Sequence, residues 1–180
     1  MLNDIDKILV KEDELNHICQ SLGKKISDDY KGKDIPLVIG LLKGCVPFMT
    51  KLTQCMNINI EMDFMVVSSY QGTSSGDVEI KKDLACSVSG RDIIIVEDII
   101  DTGKTLKKIT DILRVRGAKS IVIVTLLDKP DRRIANIVPK YVGCKIPDEF
   151  VVGFGLDFNE HYRNLPFIGT LKKEIYERGE

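Results

Sequence analysis

The sequence predicts an α/β protein with a central parallel sheet flanked by helices. Three observations predict it. Residues 36–42 (PLVIGLL), 93–96 (IIIV) and 121–127 (IVIVTLL) are nearly unbroken apolar runs, the pattern of strands buried on both faces. Each run ends in a short polar loop: Lys43-Gly44, Glu97 to Thr105, and Asp128-Lys129. Helical patterns alternate with the strands, as crossover connections in a parallel sheet require.

The elements follow in order. Glu12-Asp13-Glu14 is an acidic helix start, and Leu15, Ile18, Cys19, Leu22 and Ile26 recur at helical spacing, so residues 13–30 form an amphipathic helix. His17 falls off that stripe and is expected to be exposed. Lys31-Gly32-Lys33-Asp34 is a turn. After the strand at 36–42, residues 46–56 read as a helix with Pro47 in its first turn. Residues 57–69 carry a long strand pattern, with Asn57, Asn59, Glu61 and Asp63 alternating with apolar neighbours. Residues 68–76 (SSYQGTSSG) are small and polar, and Val78-Glu79-Ile80 returns as a short strand. A polar loop between two strands is a candidate lid. The strand at 93–96 is followed by a helix with the stripe Leu106, Ile109, Ile112 and Leu113, stopped by Gly117. Residues 141–145 and 150–155 read as short strands around the turn 146–149. The tail 157–166 is polar and aromatic.

The chain has 180 residues, which suits one domain, with 43% hydrophobic and 29% charged residues. Lys plus Arg (26) nearly balances Asp plus Glu (27), and the basic residues come as scattered doublets such as Arg132-Arg133. That balance gives no electrostatic footprint for nucleic acid or membrane. Five cysteines without a Cys-x-x-Cys pair and two distant histidines argue against a zinc site and for reduced thiols in a cytoplasmic protein. The acidic N-terminus is not expected to be a secretory signal, and no apolar run approaches the roughly 20 residues of a membrane span.

The chemistry concentrates in Ile93 to Leu106. In a parallel sheet the carboxyl ends of strands face one crevice, where such folds place ligands. Thr102-Gly103-Lys104-Thr105 could pass for the end of an ATP-binding loop. That motif needs a glycine five residues before Gly103, and Asp98 stands there. What survives is a cradle for a single phosphate, built from the amides of Asp101 to Thr105, the Thr102 and Thr105 hydroxyls and a helix N-terminus. Glu97 and Asp98, adjacent at a strand end, suit a vicinal diol or Mg²⁺. Diol, metal and phosphate a few ångströms apart describe a ribose 5-phosphate. Lys43-Gly44 is a second anion site by the same reasoning.

At these residues the sequence resembles the type I phosphoribosyltransferases: four apolar residues, two acidic, two apolar, then Asp-Thr-Gly and a helix. The wider chain is similar to their 6-oxopurine salvage branch, the hypoxanthine–guanine phosphoribosyltransferases, at Leu41 to Gly44, Ser68-Ser69-Tyr70, Asp128-Lys129-Pro130, residues 150–153, Asp157-Phe158 and Tyr162 to Pro166. The resemblance implies the family fold, with a small hood from the N- and C-terminal segments and a mobile flap over 68–80. It implies transfer of phosphoribosyl from Mg²⁺-bound phosphoribosyl pyrophosphate to hypoxanthine or guanine, in a homodimer or homotetramer. Carried onto this sequence, Glu97 and Asp98 hold the ribose and the metal shell, with Asp157 near the metal, the pyrophosphate or the base. Asp101 to Thr105 hold the 5′-phosphate, and Lys43, Gly44 and Arg163 the pyrophosphate. Lys129 donates to the 6-oxo oxygen, Phe150 stacks on the purine, and the Val151 backbone reads its edge. Asp101 serves as general acid or base at N7. Ser68, Ser69 and Tyr70 form the base of the lid. The resemblance also implies a non-proline cis peptide at Leu42–Lys43. Lys104 departs from the family, which is usually apolar there, and is expected either to add charge to the cradle or to face solvent.

Two rivals share the fold. One is a nucleotide-sensing regulator that binds nucleic acid without catalysis; the balanced charge and the presence of Asp101 and Lys129 oppose it. The other is an enzyme for xanthine or another base, which Lys129 and Phe150-Val151 do not fully separate from the first reading.

Overall fold

The computed structural model describes residues 1–69 and 78–176. Tyr70 and the loop tip assigned to the lid lie outside the described residues, as does the side chain of Ser69. The elements are β1 (Ile5–Val10), α1 (Glu12–Tyr30), β2 (Leu37–Leu42), α2 (Cys45–Gln54), β3 (Glu61–Ser69), β4 (Val78–Lys82), β5 (Asp92–Ile100), α3 (Lys104–Val115), β6 (Ser120–Asp128), β7 (Tyr141–Lys145), β8 (Val151–Val152), β9 (Ile168–Leu171) and α4 (Lys173–Tyr176).

Six strands form the main sheet in the order β4-β3-β2-β5-β6-β7. All neighbours are parallel except β3 and β4, which close one edge as an antiparallel hairpin. The alternation of side chains explains why β5 is apolar without interruption. Ile94 and Val96 pack with Leu15, Leu22, Phe48 and Leu52 of α1 and α2. Ile93 and Ile95 pack with Leu106, Ile109 and Leu113 of α3 on the opposite face. Each of these four β5 residues is fully buried, worth roughly 1.5–3 kcal/mol apiece. The helix α1 begins where the Glu14 carboxylate accepts the Lys11 backbone N–H at 2.7 Å, a glutamate-to-backbone closure of the first turn.

A second, three-stranded sheet has the order β1-β9-β8 and is antiparallel throughout. It ties the two ends of the chain together. The sequence patterns did not mark β1 or β9, and 150–155 contributes only Val151–Val152, to this small sheet and not to the main one. Two boundaries also move. Strand β3 starts at Glu61 rather than 57. Strand β5 runs past the carboxylates to Ile100, because Ile99 and Ile100 continue the ladder against Leu127 and Asp128. Glu97 and Asp98 are thus inside the strand rather than beyond it. The five cysteines are free, with Cys19 and Cys45 buried, and His17 is exposed. Among the described residues no helix is long and apolar enough to cross a membrane.

Candidate active site

Strands β2, β5 and β6 are parallel neighbours, so Lys43-Gly44, Asp98 to Thr105 and Lys129 emerge along one sheet edge. The Leu42–Lys43 peptide is cis. Gly44 is glycine for a steric reason. A β-carbon there would lie 1.7 Å from Asp98 Oδ2, so the Asp98 carboxylate rests directly on the glycine backbone. Asp98 Oδ1 also accepts the Ile99 N–H at 2.8 Å.

Burial pushes the Glu97 carboxyl well above its ordinary range, and the Asp98 charge pushes it further the same way. Burial likewise raises Asp98 to about 6, against the opposing pull of the Ile99 N–H and the Arg163 charge. A nearby cation would favour the charged forms of both carboxylates. Among the described residues no group of three or more His, Cys, Asp or Glu side chains is arranged to hold a metal alone. Mg²⁺ fits this set as an ion held by one or two carboxylates and the oxygens of a substrate.

Beyond the strand, Gly103 adopts φ +75 and caps α3, a left-handed conformation that favours glycine. The first amides of α3, which a helix leaves without intrahelical partners, therefore begin at this sheet edge. Thr102 Oγ1 takes a weak 3.5 Å contact from the Lys104 N–H. The Lys104 side chain is exposed. The turn from Asp101 to Thr102 is braced by Arg133, which the sequence reading counted only as half of a scattered basic doublet. Its Nε donates to the Asp101 carbonyl at 3.0 Å and its Nη1 to the Ile137 carbonyl at 3.2 Å, and it pairs with Asp128. The N–H groups of Ile134 and Ala135 both reach the Thr102 carbonyl at 3.0 Å.

Asp101 is held by Arg132, whose Nε lies 3.0 Å from Oδ1 and whose Nη2 lies 3.5 Å from Oδ2. Arg132 also reaches Asp148 at 3.3 Å. Lys129 is only 8% exposed; its Nζ donates to the Glu149 carbonyl at 2.7 Å and lies 3.4 Å from Asp148. An ammonium has three N–H donors, so a third remains for a ligand. Without the resemblance Phe150 would be counted as core, yet it is 43% exposed. Its ring stacks on Tyr176 at 5.5 Å and meets Phe158 edge-on at 5.6 Å. Val151 is buried and pairs with Thr170.

Arg163 donates through Nη1 to the Gly155 carbonyl at 2.7 Å, and through Nη2 to Asp157 at 2.9 Å and Glu160 at 3.3 Å. Its Nε is buried with no partner, an unspent donor beside Asp98 and Asp157. Lys43 pairs with Glu160 at 2.8 Å. The structure therefore gathers two sets. Lys43, Gly44, Asp98, Asp157 and Arg163 form one, and Asp101, Lys129, the 148–150 segment and Arg132 the other, with β5 between them. Ser68 stands apart on β3, where its Oγ donates to Glu79 at 3.4 Å. Arg132, Arg133 and Glu160 are the members that sequence reasoning missed. The signal for the two arginines was a basic doublet placed soon after a strand end, and nothing in the sequence marked Glu160.

Comparison with known proteins agrees with this geometry. Residues 9–159 match the model of the phosphoribosyl transferase domain. The chain is 53% identical over 179 residues to the hypoxanthine-guanine phosphoribosyltransferase of Staphylococcus aureus strain Mu50, covering 98% of this chain and 99% of that protein. It is 54% identical over 178 residues to a Bifunctional protein TilS/HprT of Listeria monocytogenes, covering 98% of this chain but spanning only 27% of that longer protein. A crystal structure of a Staphylococcus aureus hypoxanthine phosphoribosyltransferase superposes with a TM-score of 0.93 at 51% identity, covering 98% of this chain and 96% of the other. With the sheet edge, the turn into α3 and these matches in agreement, the chain belongs to the phosphoribosyl transferase domain family.

Proposed function

We infer that this chain is a hypoxanthine–guanine phosphoribosyltransferase, an enzyme of purine salvage that joins phosphoribosyl pyrophosphate and a 6-oxopurine to give the nucleoside monophosphate and pyrophosphate. The observation that carries the reading is the end-to-end match with the Staphylococcus aureus enzyme, 98% of one chain against 99% of the other.

The geometry supports the following residue roles. The amides at the start of α3, with Thr102, Gly103, Lys104 and Thr105, take the 5′-phosphate. Glu97 and Asp98 face the ribose hydroxyls, and together with Asp157 they would hold Mg²⁺. When bound, Mg²⁺ supplies positive charge to the phosphoribosyl pyrophosphate. Lys43, the Gly44 backbone and Arg163 take the pyrophosphate, and the unpartnered Nε of Arg163 supports this assignment. Lys129 donates its remaining N–H to the 6-oxo oxygen. An adenine would present an amino group to that donor and be rejected. Phe150 offers its exposed ring to the base, and the backbone near Val151 reads its far edge.

The reaction is a displacement at C1′. The bond from C1′ to the pyrophosphate oxygen breaks and its electron pair leaves with the pyrophosphate. The N9 lone pair forms the new bond, and Asp101 takes the proton from N7. The positive groups on the leaving side stabilise the departing charge. Water would compete with N9 for C1′, so the 68–80 segment is proposed to close over the site as a flap. The small β1-β9-β8 sheet, which carries the base-binding segment, is proposed as the hood of a single 180-residue domain. A homodimer or homotetramer in the cytoplasm, without nucleic-acid partners, completes the reading.

The test is a pyrophosphate-release assay with phosphoribosyl pyrophosphate, Mg²⁺ and each base in turn. Hypoxanthine and guanine should turn over and adenine should not. No turnover with any 6-oxopurine would overturn the assignment.

A further inference from the structure

Glu160 is placed where a negative charge should be unwelcome. It sits between Lys43 and Arg163, two cations assigned to the pyrophosphate. One carboxylate oxygen lies 2.8 Å from Lys43 Nζ and the other 3.3 Å from Arg163 Nη2. Two oxygens of one anion thus meet two cations, as two oxygens of a pyrophosphate would. The backbone holds this position at a cost. Asn159 and Glu160 adopt φ of 51 and 66, in the left-handed region that side chains with a β-carbon disfavour. Asp157 Oδ2 fixes the turn by accepting the Glu160 N–H at 2.9 Å, and Phe158 and His161 close it with paired backbone bonds of 3.2 and 3.0 Å. None of these turn contacts uses the Glu160 side chain, so the turn delivers the carboxylate without depending on it.

We propose that Glu160 is an affinity-determining residue for pyrophosphate, an internal anion that occupies the Lys43–Arg163 site until pyrophosphate displaces it. The proposal rests on the assignment of Lys43 and Arg163 to pyrophosphate. Its strength follows from exposure. The Lys43 and Glu160 side chains are 66% and 62% exposed, and exposed pairs contribute little each. A pyrophosphate with several charges can displace such a carboxylate, whereas a single inorganic phosphate competes with it on closer terms. Glu160 therefore lowers affinity for the leaving group without blocking it, and discriminates against free phosphate. It also keeps the two cations ordered and compensated while no ligand is bound.

Titration calorimetry with magnesium pyrophosphate tests this on the full chain. Glu160→Gln keeps the size of the side chain and removes the charge. Glu160→Asn tolerates the left-handed backbone and shortens the reach. Both variants should bind pyrophosphate about fivefold tighter, on the scale of two exposed ion pairs, and with a steeper dependence on salt because the site is more positive. Inorganic phosphate, used as a second probe, should gain affinity as well. Unchanged or weaker pyrophosphate binding in both variants overturns the proposal, since weakening would make Glu160 a contributor to the complex rather than its competitor. Lys43→Met separates the two levels of inference. If it weakens pyrophosphate binding while the Glu160 variants do not strengthen it, only the role of Glu160 falls. If it leaves binding unchanged, the pyrophosphate assignment falls and the role of Glu160 with it.

Discussion

A carboxylate that collects a proton from a bound base must be ionised and correctly turned before the base arrives. Asp101 is turned by Arg132, whose two donors reach both carboxylate oxygens. Replacing Asp101 by Asn should lower kcat by about 10²–10⁴-fold, the usual range for losing a general acid or base, while ribose 5-phosphate binding to the neighbouring amides is kept. Arg132→Ala should lower kcat roughly tenfold through misorientation of Asp101, with little change in KM for phosphoribosyl pyrophosphate. Because the arginine acts through the aspartate, it should cost nothing further in the Asp101→Asn background. Additive losses in the double variant would show that Arg132 works by another route. The two residues also differ in how legible they were. Asp101 sits in a local motif that a linear reading can recognise. Arg132 acquires its role only when the fold carries it to a carboxylate 31 positions away, and a surface arginine and a positioning arginine look alike in sequence.

Legibility at the level of elements followed burial. Strands covered on both faces write themselves as unbroken apolar runs, so β2, β5 and β6 were visible. Strand β1 was not, because irregularities between Ile5 and Lys7 and between Ile8 and Val10 break its alternation. Strand β9 is four residues long and contains Gly169. The hairpin β3/β4 gives a further case. Asp63 reads in sequence as one of four alternating polar residues, yet it is only 8% exposed. Its carboxylate accepts the N–H groups of Phe64 and Ala85, each at 2.7 Å, and faces Lys82 at 3.4 Å. Burial alone would raise its pKa; those N–H donors, together with Lys82, outweigh burial and hold it below the ordinary 3.8. A carboxylate lowered by folding contributes stability above its unfolded pKa and loses it as pH falls through the folded value. Asp63→Ala strands two backbone donors near the base of the hairpin and should cost about 2–3 kcal/mol at pH 7. In urea titrations that gap should narrow below pH 4. A gap of the same size at pH 3 and pH 7 would mean that packing, not the charge-assisted bonds, holds this corner.

For the whole molecule, the site is assembled from positions 43 to 163 along one edge of a rigid sheet, and its charges are left in opposition. Glu97 and Asp98 lie deep and resist ionisation, while Lys43 and Arg163 depend on weak internal anions. A phosphorylated ligand alone answers the cations but crowds the carboxylates. A metal ion alone answers the carboxylates but lacks the phosphate oxygens that would complete its shell. Only the pair resolves both, so stabilisation by ligand should be strongly cooperative. Phosphoribosyl pyrophosphate with Mg²⁺, at 100 times its dissociation constant, should stabilise the fold by about 2.7 kcal/mol. For a chain of this size that corresponds to a rise in Tm of roughly 5–10 °C. Either component alone should give a small fraction of this shift. The combined Glu97→Gln and Asp98→Asn variant should melt no lower than the native protein without ligand, because it removes two charges that burial disfavours, yet it should lose most of the shift with both components present. A full shift in the absence of Mg²⁺, or in that variant, would mean that the carboxylate pair is structural and that the site binds its phosphates without a metal.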